Sequence, residues 1–268
     1  MRSGREMDLQ DRYAGDIGDY VKLALLRHLS AGRKLGVAWY LYPNEDHNGD
    51  GKHTTYLQAP SQWRHLDPDL FDGMRSVIKG IRSVRALQET GLINGSFSGE
   101  LLQSATLPWR CRESWRAGWF ERVRSAIADA EIVFADPDNG LVDDDPRRRR
   151  RKAFGKQIPL SEAKALAEGR VAVIYHHNTR RKGGHDAEVD HWLKQLGNSA
   201  IAIRANSYSC RTFFILNPDQ VARHRAASFC QRWAAHSVHL HRAVGQVQTL
   251  APSAAHRSGR PGSTAPAP

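Results

Sequence analysis

In the stretch IVFADPDNGL (residues 132–141) a short apolar run ends abruptly on two carboxylates, a proline, an asparagine and a glycine. Apolar, β-branched residues without alternation predict a strand covered on both faces. Pro137 brings no ladder donor and stiffens the turn, while Gly140 permits a close backbone passage or a positive φ. A rigid turn of this kind, with Asp136, Asp138 and Asn139, suits an acceptor for an amino group. The same residues equally make an ordinary turn in which Asp and Asn bond the following backbone.

Working outward, SWRAGWFERVRSAIADA (residues 114–130) places Trp115, Trp119, Val123 and Ile127 every fourth residue and predicts a helix capped by Ser114 that feeds this strand. Downstream one plan repeats: PLSEAKALAEG as helix and stop, RVAVIYHH as strand, GHDAEVDHWLKQLG as helix and stop, SAIAIRAN as strand. RTFFILNP then gives a last strand, expected to run antiparallel at or beside a sheet edge, followed by a helix through about Ala235. Upstream, GDIGDYVKLALLRHL carries Val21, Leu25, Leu26 and Leu29 on one helical face, with Asp19 as the expected N-cap. KLGVAWYLY reads as another buried strand, ending at Pro43 and releasing the polar loop PNEDHNGDGKHTTY.

Residues 58–112 form a less regular insertion, with DPDLFDGMRSVIKGI helical, RSVRALQETGLI open between helix and strand, and NGSFSG a turn. Residues 243–268 are rich in Pro, Ser, Gly and Ala and are expected to be a disordered tail. The expectation is one α/β domain over residues 1–242, a mostly parallel sheet with helices on both faces.

The chain has 268 residues, 40% of them hydrophobic and 25% charged, and no apolar run approaches the roughly 20 residues of a membrane span. The polar first residues lack a secretory core, which places the protein in the cytoplasm by expectation. Cys111, Cys210 and Cys230 show no CxxC spacing and read as ordinary thiols, not a disulfide framework or metal site. A formal charge of +11, part of it in DPRRRRRK (residues 145–152), points to a phosphate-bearing partner, nucleic acid above all.

Ligands of open α/β sheets lie beyond the carboxyl ends of the strands, where three polar clusters are expected to meet. These are the loop with Gly49, Asp50 and Gly51, the DPDNG turn, and YHHNTRRKGGH with Tyr175, His176, His177 and Arg180. Adjacent strand residues point to opposite faces, so at most one of the two histidines serves a given site. Asp16, Asp19 and Lys22 stand at the start of the first helix, where free amides and the helix dipole favour anions.

Taken together, YAGDIGDYVKLALLRHL, LGVAWYLY with its glycine-bearing loop, FADPDNG, VAVIYHH and NSYSCRTFFILNP resemble the S-adenosylmethionine-dependent methyltransferases that modify adenine N6 in large-subunit ribosomal RNA, and the related three-Cys-motif partner proteins. The resemblance implies a Rossmann-like class I methyltransferase fold, with Ala14, Gly15, Asp16, Asp19 and Lys22 matching or nearly matching the family's N-terminal Ala-Gly-Asn-x-x-Asp-x-x-Lys cofactor-site segment. Gly49, Asp50 and Gly51 stand late in the loop where the family binds cofactor. Asp136 and Pro137 match the first two positions of the family's Asp-Pro-Pro-Tyr motif; Asp138 and Asn139 depart at the last two, which removes the stacking ring and leaves Tyr175 as a substitute aromatic face.

The function implied is methyl transfer from S-adenosylmethionine to a base amino group of RNA or DNA. Two alternatives stand beside it. One is a nuclease or phosphodiesterase using Asp136 and Asp138 with Mg²⁺ or Mn²⁺. The other is a degenerate module that binds nucleic acid or a protein partner in a defence or mobile-element system.

Overall fold

The computed structural model describes residues 14–43, 53–80 and 82–242. The expected glycine loop at residues 49–51 and the tail beyond residue 242 lie outside these residues. The chain opens with α1 (Ile17–Ser30) and β1 (Leu35–Trp39), then α2 (Pro60–Trp63), α3 (Pro68–Lys79), α4 (Val84–Glu89) and β2 (Gly95–Ser98). The middle holds α5 (Arg112–Ala126), β3 (Ile132–Asp136), β4 (Gly140–Val142), α6 (Pro146–Arg149) and β5 (Gln157–Pro159). It closes with α7 (Leu160–Leu166), β6 (Val171–His177), α8 (Gly184–Leu196), β7 (Ile201–Ala205), β8 (Arg211–Leu216), α9 (Gln220–Arg232) and β9 (Val238–Leu240).

Seven strands form one sheet in the order β2-β1-β3-β6-β8-β7-β9, with β8 and β9 running against the other five. Strands buried on both faces explain its continuous apolar runs: every residue of β1 and β8 is buried. Alternate side chains feed two cores. Leu35, Val37, Ile132, Phe134 and Val173 meet α1, α3 and α9 on one face, while Ala38, Val133, Ala135, Ala172 and Ile174 meet α5, α7 and α8 on the other. The fold is α/β and Rossmann-like. Among the described residues no helix is long and apolar enough to cross a membrane.

Several elements differ from the sequence expectation. α1 starts at Ile17, and its cap is Asp16, whose carboxylate accepts from the Asp19 amide; Asp19 is thereby released for other partners. α5 starts at Arg112, so Ser114 lies inside it and its hydroxyl bonds back to the Cys111 carbonyl. NGSFSG is not a turn but the edge strand β2, whose register sets Gly95 against Leu35; a Cβ there would stand 2.5 Å from the Leu35 carbonyl oxygen. β8 is interior, wedged between β6 and β7, where its Phe213 and Phe214 serve both cores. A two-stranded parallel sheet of β4 and β5 has no counterpart in the sequence reading.

From β1 the chain winds to β2 on one side and afterwards to β3 on the other. The winding therefore reverses between β1 and β3, and an α/β sheet opens its ligand crevice beyond the carboxyl ends of such a pair. Trp39 and Asp136 are register partners at that edge.

Candidate functional site

β3 stops at Asp136 because Pro137 follows, and Gly140 takes φ 82° to turn the chain into β4. The turn is clamped from three sides. β3 holds its start, the Asn139 amide donates to the Lys156 carbonyl at 2.8 Å, and the Leu141 amide donates to His176 Nδ1 at 3.0 Å. A Cβ on Gly140 would stand 2.6 Å from His176 Cα, so this glycine meets both a left-handed backbone and a close approach. Gly140→Ala is expected to destabilise the protein by about 2–4 kcal/mol, read from denaturant midpoints.

Across the crevice, the first turn of α1 is folded around its own acids. Asp19 accepts from the Gly15 amide at 3.0 Å through Oδ2, while its Oδ1 receives Lys22 Nζ at 2.8 Å. Gly15 needs its positive φ of 82° to present that amide, and its carbonyl accepts from the Tyr56 hydroxyl. Lys22 Nζ also donates to Asp136 Oδ2 at 2.7 Å. One ammonium thus ties the start of α1 to the end of β3.

Burial opposes charge on Lys22, but Asp136 and Asp19 outweigh it and hold its pKa above the ordinary lysine range. Burial pushes the Asp136 carboxyl above the usual carboxylate range, with Lys22 pulling it back. Asp16 is likewise raised, by burial and by Asp19. Lys22 is therefore a fixed cation and not a nucleophile. It sits 5.7 Å from the Trp39 ring centre and 5.6 Å from that of Tyr175.

These groups line a cleft of about 390 Å³, within the range of small-molecule sites. Tyr175 stands half-buried in its wall, its hydroxyl pushed up to about 12 by burial, and His177 is lowered by burial and by Arg211. Pro137, Asp138 and Asn139 form one lip, with Lys156 Nζ 3.7 Å from Asp138 Oδ2. Arg211 lies over Gly18, where a Cβ would come within 2.6 Å of its guanidinium, and points to Asp16 at 3.9 Å. By formal charge, four carboxylates (Asp16, Asp19, Asp136, Asp138) face three basic side chains (Lys22, Lys156, Arg211), an excess of one negative charge in the described lining. Trp39 Nε1 and Ser209 Oγ, both on residues of this lining, are buried without a hydrogen-bond partner.

The structure thus brings Asp16, Asp19, Lys22, Asp136, Pro137, Asp138, Asn139, Tyr175 and His177 to one cleft, with Gly15 bonded directly beneath. His176 points to the other face, as strand alternation requires, and is fully buried. Its Nδ1 accepts from Leu141, so its proton sits on Nε2, 3.2 Å from Glu188. Arg180 is exposed on the loop after β6 and is not part of the cleft lining. Sequence reading missed Trp39, His53, Lys156, Ser209 and Arg211. It also missed Tyr208, which is 52% exposed, with φ 65° and its ring 5.4 Å from His53. An aromatic residue in the short polar run NSYSC between two strands was the available signal for the last.

Glu188 also accepts from the Thr179 amide and hydroxyl, at 2.8 and 2.6 Å. Burial pushes its carboxyl up, but these bonds and His176 overcome it and lower its pKa to about 2. A depressed folded pKa contributes stability that is present above the unfolded value and lost as pH falls toward 2. On the order of 2–3 kcal/mol is expected to disappear across that window. Urea unfolding of wild type and Glu188→Gln from pH 7 to 3 checks it, the variant showing the flatter profile.

No protein-family model and no curated protein matches the chain. Among the described residues no three His, Cys, Asp or Glu side chains gather to hold a metal ion. Asp136 and Asp138 are each turned to a lysine. The fold and the site together define a Rossmann-like protein with a charged, aromatic-walled cleft at the topological switch of its sheet.

Proposed function

We propose that this protein is an S-adenosylmethionine-dependent methyltransferase acting on a base amino group of a nucleic acid. The observation that carries the reading is the 2.7 Å contact of Lys22 with Asp136, which fixes a carboxylate in the switch-point cleft. The lining suits the cofactor's parts. Its excess negative charge and its aromatic walls complement a sulfonium cation, and the unpartnered Trp39 and Ser209 groups offer hydrogen bonds to a ligand. Arg211 and Lys22 can meet an amino-acid carboxylate, and Asp16 or Asp19 a hydroxyl or ammonium.

The cofactor, when bound, supplies an already activated methyl group. The chain's own contribution is alignment and exclusion of water. Asp136 accepts a hydrogen bond from the attacking amine and orients its lone pair, which requires a fixed acceptor more than a strong base. Lys22 keeps that carboxylate in place, and the Gly140 turn clamped by His176 keeps its backbone still. Tyr175, the residue after the register partner of Ala135, offers a ring beside this acceptor. The target base must be unpaired or flipped to enter.

Calorimetric titration with S-adenosylmethionine, and separately with Mg²⁺, tests the reading. Stoichiometric cofactor binding is expected, and it should be weakened at least tenfold in Arg211→Ala. Binding of the metal alone would overturn the proposal in favour of phosphodiester hydrolysis.

A further inference from the structure

Away from the cleft floor, Trp109 is 49% exposed, and the guanidinium carbons of Arg110 and Arg150 lie 5.1 and 5.2 Å from its ring centre. This cluster is built rather than incidental. Arg112 donates to the Arg150 carbonyl at 2.8 Å and to the Leu107 carbonyl at 3.0 Å, which ties the start of α5 to the end of α6. Asp145 caps α6, and Arg149 is held by Asp144 at 3.1 Å. Arg147, Arg151 and Lys152, all exposed, meet no carboxylate among the described residues.

The segment that carries these cations runs directly to the cleft. The Lys152 carbonyl accepts from the hydroxyl of Tyr42, a cleft residue, at 3.3 Å. Four residues further on, Lys156 lines the cleft itself and its carbonyl receives the Asn139 amide of the DPDNG turn. A ligand lying on the Trp109 surface and following this segment therefore arrives at Asp136.

We infer that the Trp109 and Arg147–Lys152 surface is a binding track for single-stranded nucleic acid, with unpaired bases stacking on the indole and its guanidinium neighbours and phosphates meeting the unpaired cations. The chemistry is that of sequence-tolerant strand binding, in which an aromatic platform takes the π-face of any base and a basic groove follows the backbone. A fully paired duplex has no free base face to offer the indole, so the surface favours single strands. This inference rests on the reading of the substrate as nucleic acid, but not on methyl transfer.

Fluorescence anisotropy with a labelled single-stranded 20-mer of mixed sequence, run across a salt series, tests it. Wild type is expected to bind more tightly to the single strand than to the matching duplex. Trp109→Ala is expected to weaken binding about 5- to 100-fold. In R147E/R151E affinity should fall at least tenfold, and the magnitude of the log–log salt slope should drop by about 1.4 for two lost phosphate contacts. These positions are exposed, so the melting temperature and S-adenosylmethionine titration of each variant should match wild type. Unchanged affinity and slope in both variants, or equal binding of duplex, would overturn the inference. Oligonucleotide binding lost in the variants of a protein that fails to bind S-adenosylmethionine would uphold the track and reject the methyl-transfer reading alone.

Discussion

Lys22→Met is expected to destabilise the protein by about 3–5 kcal/mol at neutral pH. The reason is not the loss of a contact but what remains behind. Asp19 is buried and Asp136 half-buried, and both are bonded to the same ammonium. Without it they face each other across the cleft floor as uncompensated charges, and the fold must then protonate or expose one of them. The Asp136 carboxyl, already raised by burial, would lose the ammonium that pulls it back. A carboxyl raised in this way lends stability only below its unfolded pKa, and that stability is lost as pH rises through the folded one. The variant should therefore recover stability on acidification from pH 7 toward 4. Wild type should recover less, because Lys22 pulls its Asp136 back and Glu188 loses stability over the lower part of the same range. Guanidinium unfolding at pH 7, 5 and 4 measures both effects.

Asp136→Asn is expected to lower methyl transfer about 10²- to 10³-fold, the usual consequence of removing one preorganised group at a reacting centre. Asparagine keeps the shape of the turn and an oxygen for Lys22, so the fold and the affinity for S-adenosylmethionine should change little. It loses the full negative charge that stabilises the amine as positive charge develops on nitrogen. Single-turnover transfer of labelled methyl groups to single-stranded RNA or DNA at saturating cofactor separates this from binding. A fall in rate at constant cofactor affinity fits the role given to Asp136; equal rates would remove it from the mechanism.

Much of the fold is legible in the sequence because both-face burial leaves unbroken apolar runs. β1, β3, β6, β7 and β8 lie where those runs stand, and the glycine stops at Gly169 and Gly197 take positive φ. What the sequence does not carry is pairing. β2 has little apolar character of its own and exists because Gly95 lets it close on β1. β4 and β5 are three residues each and are brought together by the Gly140 turn and the helix-bearing segment 143–156, not by any pattern. The antiparallel direction of β8 is readable from the short connection after β7, but its interior place in the sheet is a long-range property.

The same division runs through the site. Asp16, Asp19, Lys22 and Asp136 can be singled out by residue type and motif order, and a helix start and a strand end are natural places for them. Strand alternation already implies that only one of His176 and His177 reaches the cleft, yet not which one. The structure assigns His177 to it and gives His176 the task of holding the Leu141 amide. The 114-residue separation of Lys22 and Asp136 is beyond any local pattern. So are Trp39, whose burial looks like ordinary core in the sequence, and Arg211, which opens a strand yet reaches back to Gly18.

The most direct measurement is a double-mutant cycle on unfolding free energy with Lys22→Met, Asp136→Ala and the pair together. The geometry predicts a coupling of about 2–3 kcal/mol between the two positions, with the double variant more stable than the sum of the single losses implies. Additive losses, within about 0.5 kcal/mol, would mean that helix α1 and the end of β3 are not joined across one cleft, and the site described above would not exist.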